Sequence, residues 1–102
     1  MNDSEHQDVL LETAEGVGIA TLNRPDKFNC ISTGIVEGLT NALEHFESDP
    51  AIRVMLIRGN GKQFCTGADL DEVTAARQSA GDFQVFISRG HAMLRRLEAS
   101  RM

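Results

Sequence analysis

Residues 53–58, Arg-Val-Met-Leu-Ile-Arg, place four consecutive apolar side chains between two arginines, and no other stretch constrains the fold as strongly. Such a run, short and bounded by charge, predicts a strand covered on both faces. A helical pattern precedes it. Ser32 can cap a helix in which Ile35, Leu39, Ala42, Leu43 and Phe46 recur at helical spacing, and Ser48-Asp49-Pro50 ends that helix. Earlier still, residues 8–14 and 17–23 are β-prone runs separated by Glu15-Gly16, which predicts a hairpin. A strand, a helix and a further strand make a crossover unit, so the fold class is α/β.

Two breaks follow from turn chemistry. Asn23-Arg24-Pro25-Asp26 predicts a turn between the hairpin and the helix, and Gly59-Asn60-Gly61 stops the apolar strand. The next stretch, GKQFCTGADLDEV at 61–73, therefore lies just past the carboxyl end of a strand, where open α/β sheets tend to bind ligands. Asp69 followed by Glu72 predicts a capping box for a short helix. A later helix from about Asp82 carries Phe83, Phe86, Ile87, Gly90, Leu94 and Leu97 on one predicted stripe.

Composition excludes several classes. The 102 residues are 41% hydrophobic and 25% charged, as in a single globular domain and not a disordered chain. A net charge of −5, dispersed Lys and Arg, and the absence of Trp and Tyr argue against a nucleic-acid module. No stretch approaches the apolar length of a membrane span, and residues 1–7 read as a polar, acidic tail unlike a secretory signal. Cys30 and Cys65 lack metal or redox spacing, and His6, His45 and His91 lack helical partners for a metal, so no metal site is expected and the chain reads as cytoplasmic. Gly16-Val17-Gly18 enters a strand instead of opening a helix, and Gly-Lys in GNGKQF is not followed by Ser or Thr. Neither is a nucleotide loop.

The bare backbone at 66–69 has a chemical use. Gly67 leaves the approach open, Ala68 adds one methyl group, and Asp69 begins a helical turn, so the amides here are free to point outward toward developing negative charge. That describes half of an oxyanion hole. The same three residues are equally a plain helix cap, and local chemistry leaves both readings open.

Two motifs in order, LNRPDKFNCIS at 22–32 and FCTGADL at 64–70, resemble the enoyl-CoA hydratase/isomerase family, the crotonase superfamily, along residues 9–100. The resemblance implies the amino-terminal portion of a crotonase-like spiral of ββα units, with residues 8–102 as a partial domain acting on an acyl-CoA thioester. It implies that the Ala68 amide donates to the thioester oxygen and stabilises an enolate. Gly67, Asp69 and Leu70 would shape the loop and its pocket, with Cys65 and Thr66 leading into it. Lys27, Phe28 and Cys30 would line the path of coenzyme A, Lys27 meeting phosphate. Lys27 as a solvated turn residue and Phe28 as a core residue remain alternatives. Coenzyme A would be part of the substrate, with no separate cofactor, and a homo-oligomer is expected.

The resemblance also implies groups beyond RLEASRM, where this chain stops. In the family a glycine-rich segment supplies a second oxyanion amide, and the catalytic glutamates lie in or past it, so the ending reads as a truncation. Asp69, Asp71 and Glu72 are adjacent helix-start acids suited to capping, and no general base is assigned. The alternative reading is a noncatalytic fragment that self-associates and binds coenzyme A weakly.

Overall fold

The structure is a computed structural model and describes residues 7–102; the segment 1–6, with His6 and nearly all of the expected polar tail, lies outside the described residues. Strands β1 (Val9–Ala14) and β2 (Val17–Leu22) form the expected hairpin. Glu15 and Gly16 both take positive φ, 50° and 85°, which matches the right-handed twist of the paired strands. A single 3₁₀ turn at Pro25–Lys27 leads to helix α1 (Thr33–Glu47). Ser32 caps α1 by accepting from the Ile35 amide at 3.2 Å. Strand β3 (Val54–Gly59) follows, then α2 (Leu70–Ala76) and α3 (Ala80–Ala99).

The sheet order is β1-β2-β3, with β1 antiparallel and β3 parallel to β2. Helix α1 makes the crossover and packs Ile35, Leu39, Ala42 and Phe46 into one core with Val9, Ala20 and Leu22 of the sheet and with Ile52 just before β3, and Leu43 is buried as well. Gly18 makes room for this packing. A Cβ there would stand 2.5 Å from the Phe46 ring. At the end of α1 the Arg101 guanidinium donates to the carbonyls of Ile52 (2.9 Å), Asp49 (3.0 Å) and Glu47 (3.2 Å), which ties the segment after α3 to the negative end of α1.

Two expectations are corrected here. Strand β3 is covered on one face only: Met55 and Ile57 pack toward the core, while Val54 and Leu56 are 53% and 46% exposed. Their neighbours across the strands are Val17 and Ile19, so an apolar strip crosses the open face of the sheet. The run of apolar residues registers demand for cover on both faces, and α1 supplies one layer. The stripe of α3 is also rotated. Met93 is buried and Phe83, Phe86, Gly90 and Leu97 are half-buried, whereas Ile87 and Leu94 are exposed. Positions 83, 86, 90, 93 and 97 recur at steps of three and four, so they share one line of the helix, and Ile87 and Leu94, each one residue past a member of that line, turn to its exposed flank. The helix begins at Ala80, close to the expected start at about Asp82, and Ser79 caps it by accepting from the Asp82 amide.

Candidate functional site: the cleft at Ala68

The loop 60–69 is stitched to the turn 23–31. Asn29 is fully buried in the left-handed region (φ 54°), a conformation Asn tolerates better than most residues. Its Oδ1 accepts from the Arg24 amide at 2.8 Å, and its Nδ2 donates to the carbonyls of Asn60 (2.9 Å) and Gln63 (2.7 Å). Gly67 has φ +106°, reached at little cost only by glycine, and a Cβ on it would meet nothing within 4 Å.

One isolated parallel bridge then sets the geometry of Ala68. The Ile31 amide donates to the Gly67 carbonyl at 2.6 Å, and the Asp69 amide donates to the Ile31 carbonyl at 2.8 Å. The bonds belong to the residues on either side of Ala68. Its own N–H lies outside the bridge and has no hydrogen-bond partner among the described residues. In a pleated bridge such an amide points away from the paired strand.

Asp69 is 6% exposed. Its Oδ1 accepts from the amides of Asp71 (2.9 Å) and Glu72 (3.2 Å), and its Oδ2 accepts from Arg24 Nη1 at 2.9 Å. Burial alone would raise its pKa, but the Arg24 hydrogen bond, the two amides and the Arg24 charge outweigh burial and hold it below the ordinary carboxylate value. Arg24 is raised in turn, since its bond to Asp69 and the Asp69 charge outweigh its own desolvation. Burial, then the nearby Asp69 charge, pushes the Cys30 thiol up against the opposing Arg24 charge.

The expected capping box is only half present. Asp69 caps α2, but Glu72 does not reach back; its carboxylate accepts from the Thr33 amide (2.9 Å) and hydroxyl (2.6 Å), so it serves the start of α1 instead. The Asp69 amide is already committed to Ile31, which leaves Glu72 nothing to cap there.

Of the nine residues expected at the site, seven line one open cleft of about 510 Å³: Lys27, Phe28, Cys30, Thr66, Ala68, Asp69 and Leu70. Gly67 shapes the loop, and Cys65 turns inward against the core. Phe28 is 59% exposed, so its core alternative does not hold. The sequence does not mark Arg24, Asn29 and Thr33 as site residues. Arg24 and Asp69 are 45 residues apart, and only the positive-φ tolerance of Asn in a turn offered a local signal. A second, 240 Å³ pocket between α1, α2 and α3 includes Val36, Val85 and Phe86 and shares no lining residue with the cleft. Among the described residues no group of acids, His or Cys could hold a metal ion, and no helix is long and apolar enough to cross a membrane.

Comparison with known proteins decides the family. The enoyl-CoA hydratase/isomerase profile matches residues 17–101. The chain belongs to that family. It is 37% identical over 65 residues to 3-hydroxyisobutyryl-CoA hydrolase 1 of Arabidopsis thaliana, covering 64% of this chain and 17% of that one. It is 35% identical over 68 residues to a probable enoyl-CoA hydratase of Mycobacterium tuberculosis, covering 67% and 26%. The crystal structure of an enoyl-CoA hydratase/isomerase from Xanthobacter autotrophicus Py2 superposes with a TM-score of 0.82 at 26% identity, covering 89% of this chain and 34% of that one. The fold thus corresponds to the amino-terminal portion of the crotonase fold, and the chain spans about a third or less of the length of these relatives.

Proposed function

We propose that this chain binds an acyl-CoA thioester with the carbonyl oxygen on the Ala68 amide, the oxyanion donor of an enoyl-CoA hydratase/isomerase type of reaction. The observation that carries the reading is the Ala68 N–H, which has no hydrogen-bond partner among the described residues and is held between two backbone bonds to Ile31. A donor set in place before charge develops needs no reorganisation when an enolate oxygen forms, which is where such groups stabilise most. Lys27 and Phe28 are exposed on the rim of the same cleft, a cation for phosphate and an aromatic face for the carrier. Coenzyme A enters as part of the substrate, and no separate cofactor is needed for this chemistry.

Asp69 is a poor general base, because Arg24 and two amides engage its oxygens and keep it ionised. Asp26 and Asp71, also on the cleft, are exposed. These residues therefore supply binding and half of the oxyanion stabilisation, with proton transfer left to other groups. The test is an NMR titration of ¹⁵N-labelled protein with crotonyl-CoA and with free coenzyme A. The Ala68 amide proton should move downfield with the thioester and little with coenzyme A; a thioester that shifts other cleft amides and leaves Ala68 in place overturns the reading.

A second reading, a noncatalytic chain that self-associates as a homo-oligomer and binds coenzyme A weakly, is favoured by the exposed strip of Val54 and Leu56. Equal affinity for crotonyl-CoA and coenzyme A, together with self-association, would favour it over the first.

A further inference from the structure

Asp69 follows the proposed donor directly, and its carboxylate is nearly buried. An uncompensated anion there would oppose the negative charge that the Ala68 amide is set to receive. Arg24 Nη1 lies 2.9 Å from Asp69 Oδ2 and 4.0 Å from Cys30 Sγ. The Arg24 backbone is itself braced: its amide donates to Asn29 Oδ1 at 2.8 Å, and its carbonyl accepts from the amides of Lys27 (3.0 Å) and Asn29 (2.8 Å). A cation on so fixed a base does two things at once. It neutralises Asp69, and it holds the carboxylate whose other oxygen gathers the amides of Asp71 and Glu72.

We infer that Arg24 is a positioning residue for the Ala68 donor, acting through Asp69 by fixing that residue and cancelling its charge beside the thioester oxygen. The inference rests on the reading of Ala68 given above. Arg24 touches no substrate in this scheme. Its planar fork supplies direction as well as charge, so Lys should replace it only in part. A purely structural ion pair would behave differently, because its loss would weaken every ligand of the cleft alike.

The test compares Arg24→Gln, Arg24→Lys and wild type in the full chain. Arg24→Gln should lose about tenfold in crotonyl-CoA affinity by calorimetry while affinity for free coenzyme A stays within about twofold, and Arg24→Lys should recover part of the loss. Equal loss for both ligands, or no loss, overturns the inference. In the unliganded protein Arg24→Gln should broaden or split the Ala68 and Asp69 amide signals and leave those of Leu43 and Phe46 unmoved. An unchanged Ala68 signal also overturns the inference. This readout stands even where wild type binds no thioester, an outcome that would sink the functional reading alone. Should Arg24→Gln fail to fold, Asp69→Asn keeps an oxygen for the α2 amides and removes the charge Arg24 holds. It should give the same signature at Ala68, and its absence counts against the inference.

Discussion

Glu72 on α2 caps α1: its carboxylate accepts from both the amide and the hydroxyl of Thr33, at 2.9 and 2.6 Å. Thr33 is the first residue of α1, so its amide has no partner within the helix. A single side chain thereby links the loop that carries Ala68 to the crossover helix. Glu72→Ala should destabilise the fold by about 1–2 kcal/mol in urea unfolding, with Thr33→Val costing less because the amide contact survives. A change below about 0.3 kcal/mol for Glu72→Ala would show that the contact contributes nothing net.

Two glycines should respond with opposite sign. Gly18→Ala drives a Cβ to 2.5 Å from the buried Phe46 ring and should cost about 1–3 kcal/mol, with α1 pushed off the sheet. Gly90 sits inside α3 with nothing within 4 Å of its would-be Cβ. Gly90→Ala should therefore stabilise by about 0.5–1 kcal/mol through helix propensity and a less free unfolded chain. Thermal unfolding of both variants checks the pair.

Stability should depend on pH at both ends of the range. Asp69 has a lowered pKa when folded, so its contribution is present above the unfolded value of about 3.9 and is lost as pH falls through the folded value. Arg24→Gln should shift acid unfolding to higher pH. Cys30 has a raised pKa when folded, so its contribution is present below its unfolded value and is lost as pH rises through the folded one. Cys30→Ala should flatten the alkaline limb in denaturant titrations, and an unaltered limb would exclude Cys30 as its cause.

The 102-residue chain alone should not hydrate crotonyl-CoA. Asp69 is engaged by Arg24 and two amides, and a hydratase needs one carboxylate free to activate water and another group to deliver a proton. Loss of the enoyl absorbance on incubation would contradict this, provided the activity survives purification and disappears in Ala68→Pro.

The strip formed by Val17, Ile19, Val54 and Leu56 should draw copies together. Burying about 600 Å² of apolar surface contributes about 15 kcal/mol gross, enough to offset an association cost of several kcal/mol. Sedimentation equilibrium at low micromolar concentration should show a species heavier than the 11.2 kDa monomer, and Leu56→Lys should shift it toward monomer. A folded, monodisperse monomer of the unsubstituted chain would refute the expectation.

Features encoded within a few residues were legible in the sequence. The Glu15-Gly16 turn, the Ser32 cap, the end of α1 at Ser48 and the break after Gly59 each follow from the conformations and hydrogen bonds of adjacent groups. The motifs at 22–32 and 64–70 likewise carried the family, and seven of the nine expected site residues line one cleft. Tertiary structure alone decided which partner each polar group would take and which apolar face would be covered. Glu72 chose Thr33 over the start of its own helix because Ile31 already held the Asp69 amide. Arg24 met Asp69 across 45 residues because Asn29 and the Ile31 bridge bring two loops together. On β3 strand alternation turns Val54 and Leu56 to the face away from α1, and on α3 Ile87 and Leu94 fall beside the buried line, so these apolar residues stay outside where no described neighbour covers them. Periodicity specifies which side chains share a face; whether a neighbour covers that face depends on contacts distant in sequence.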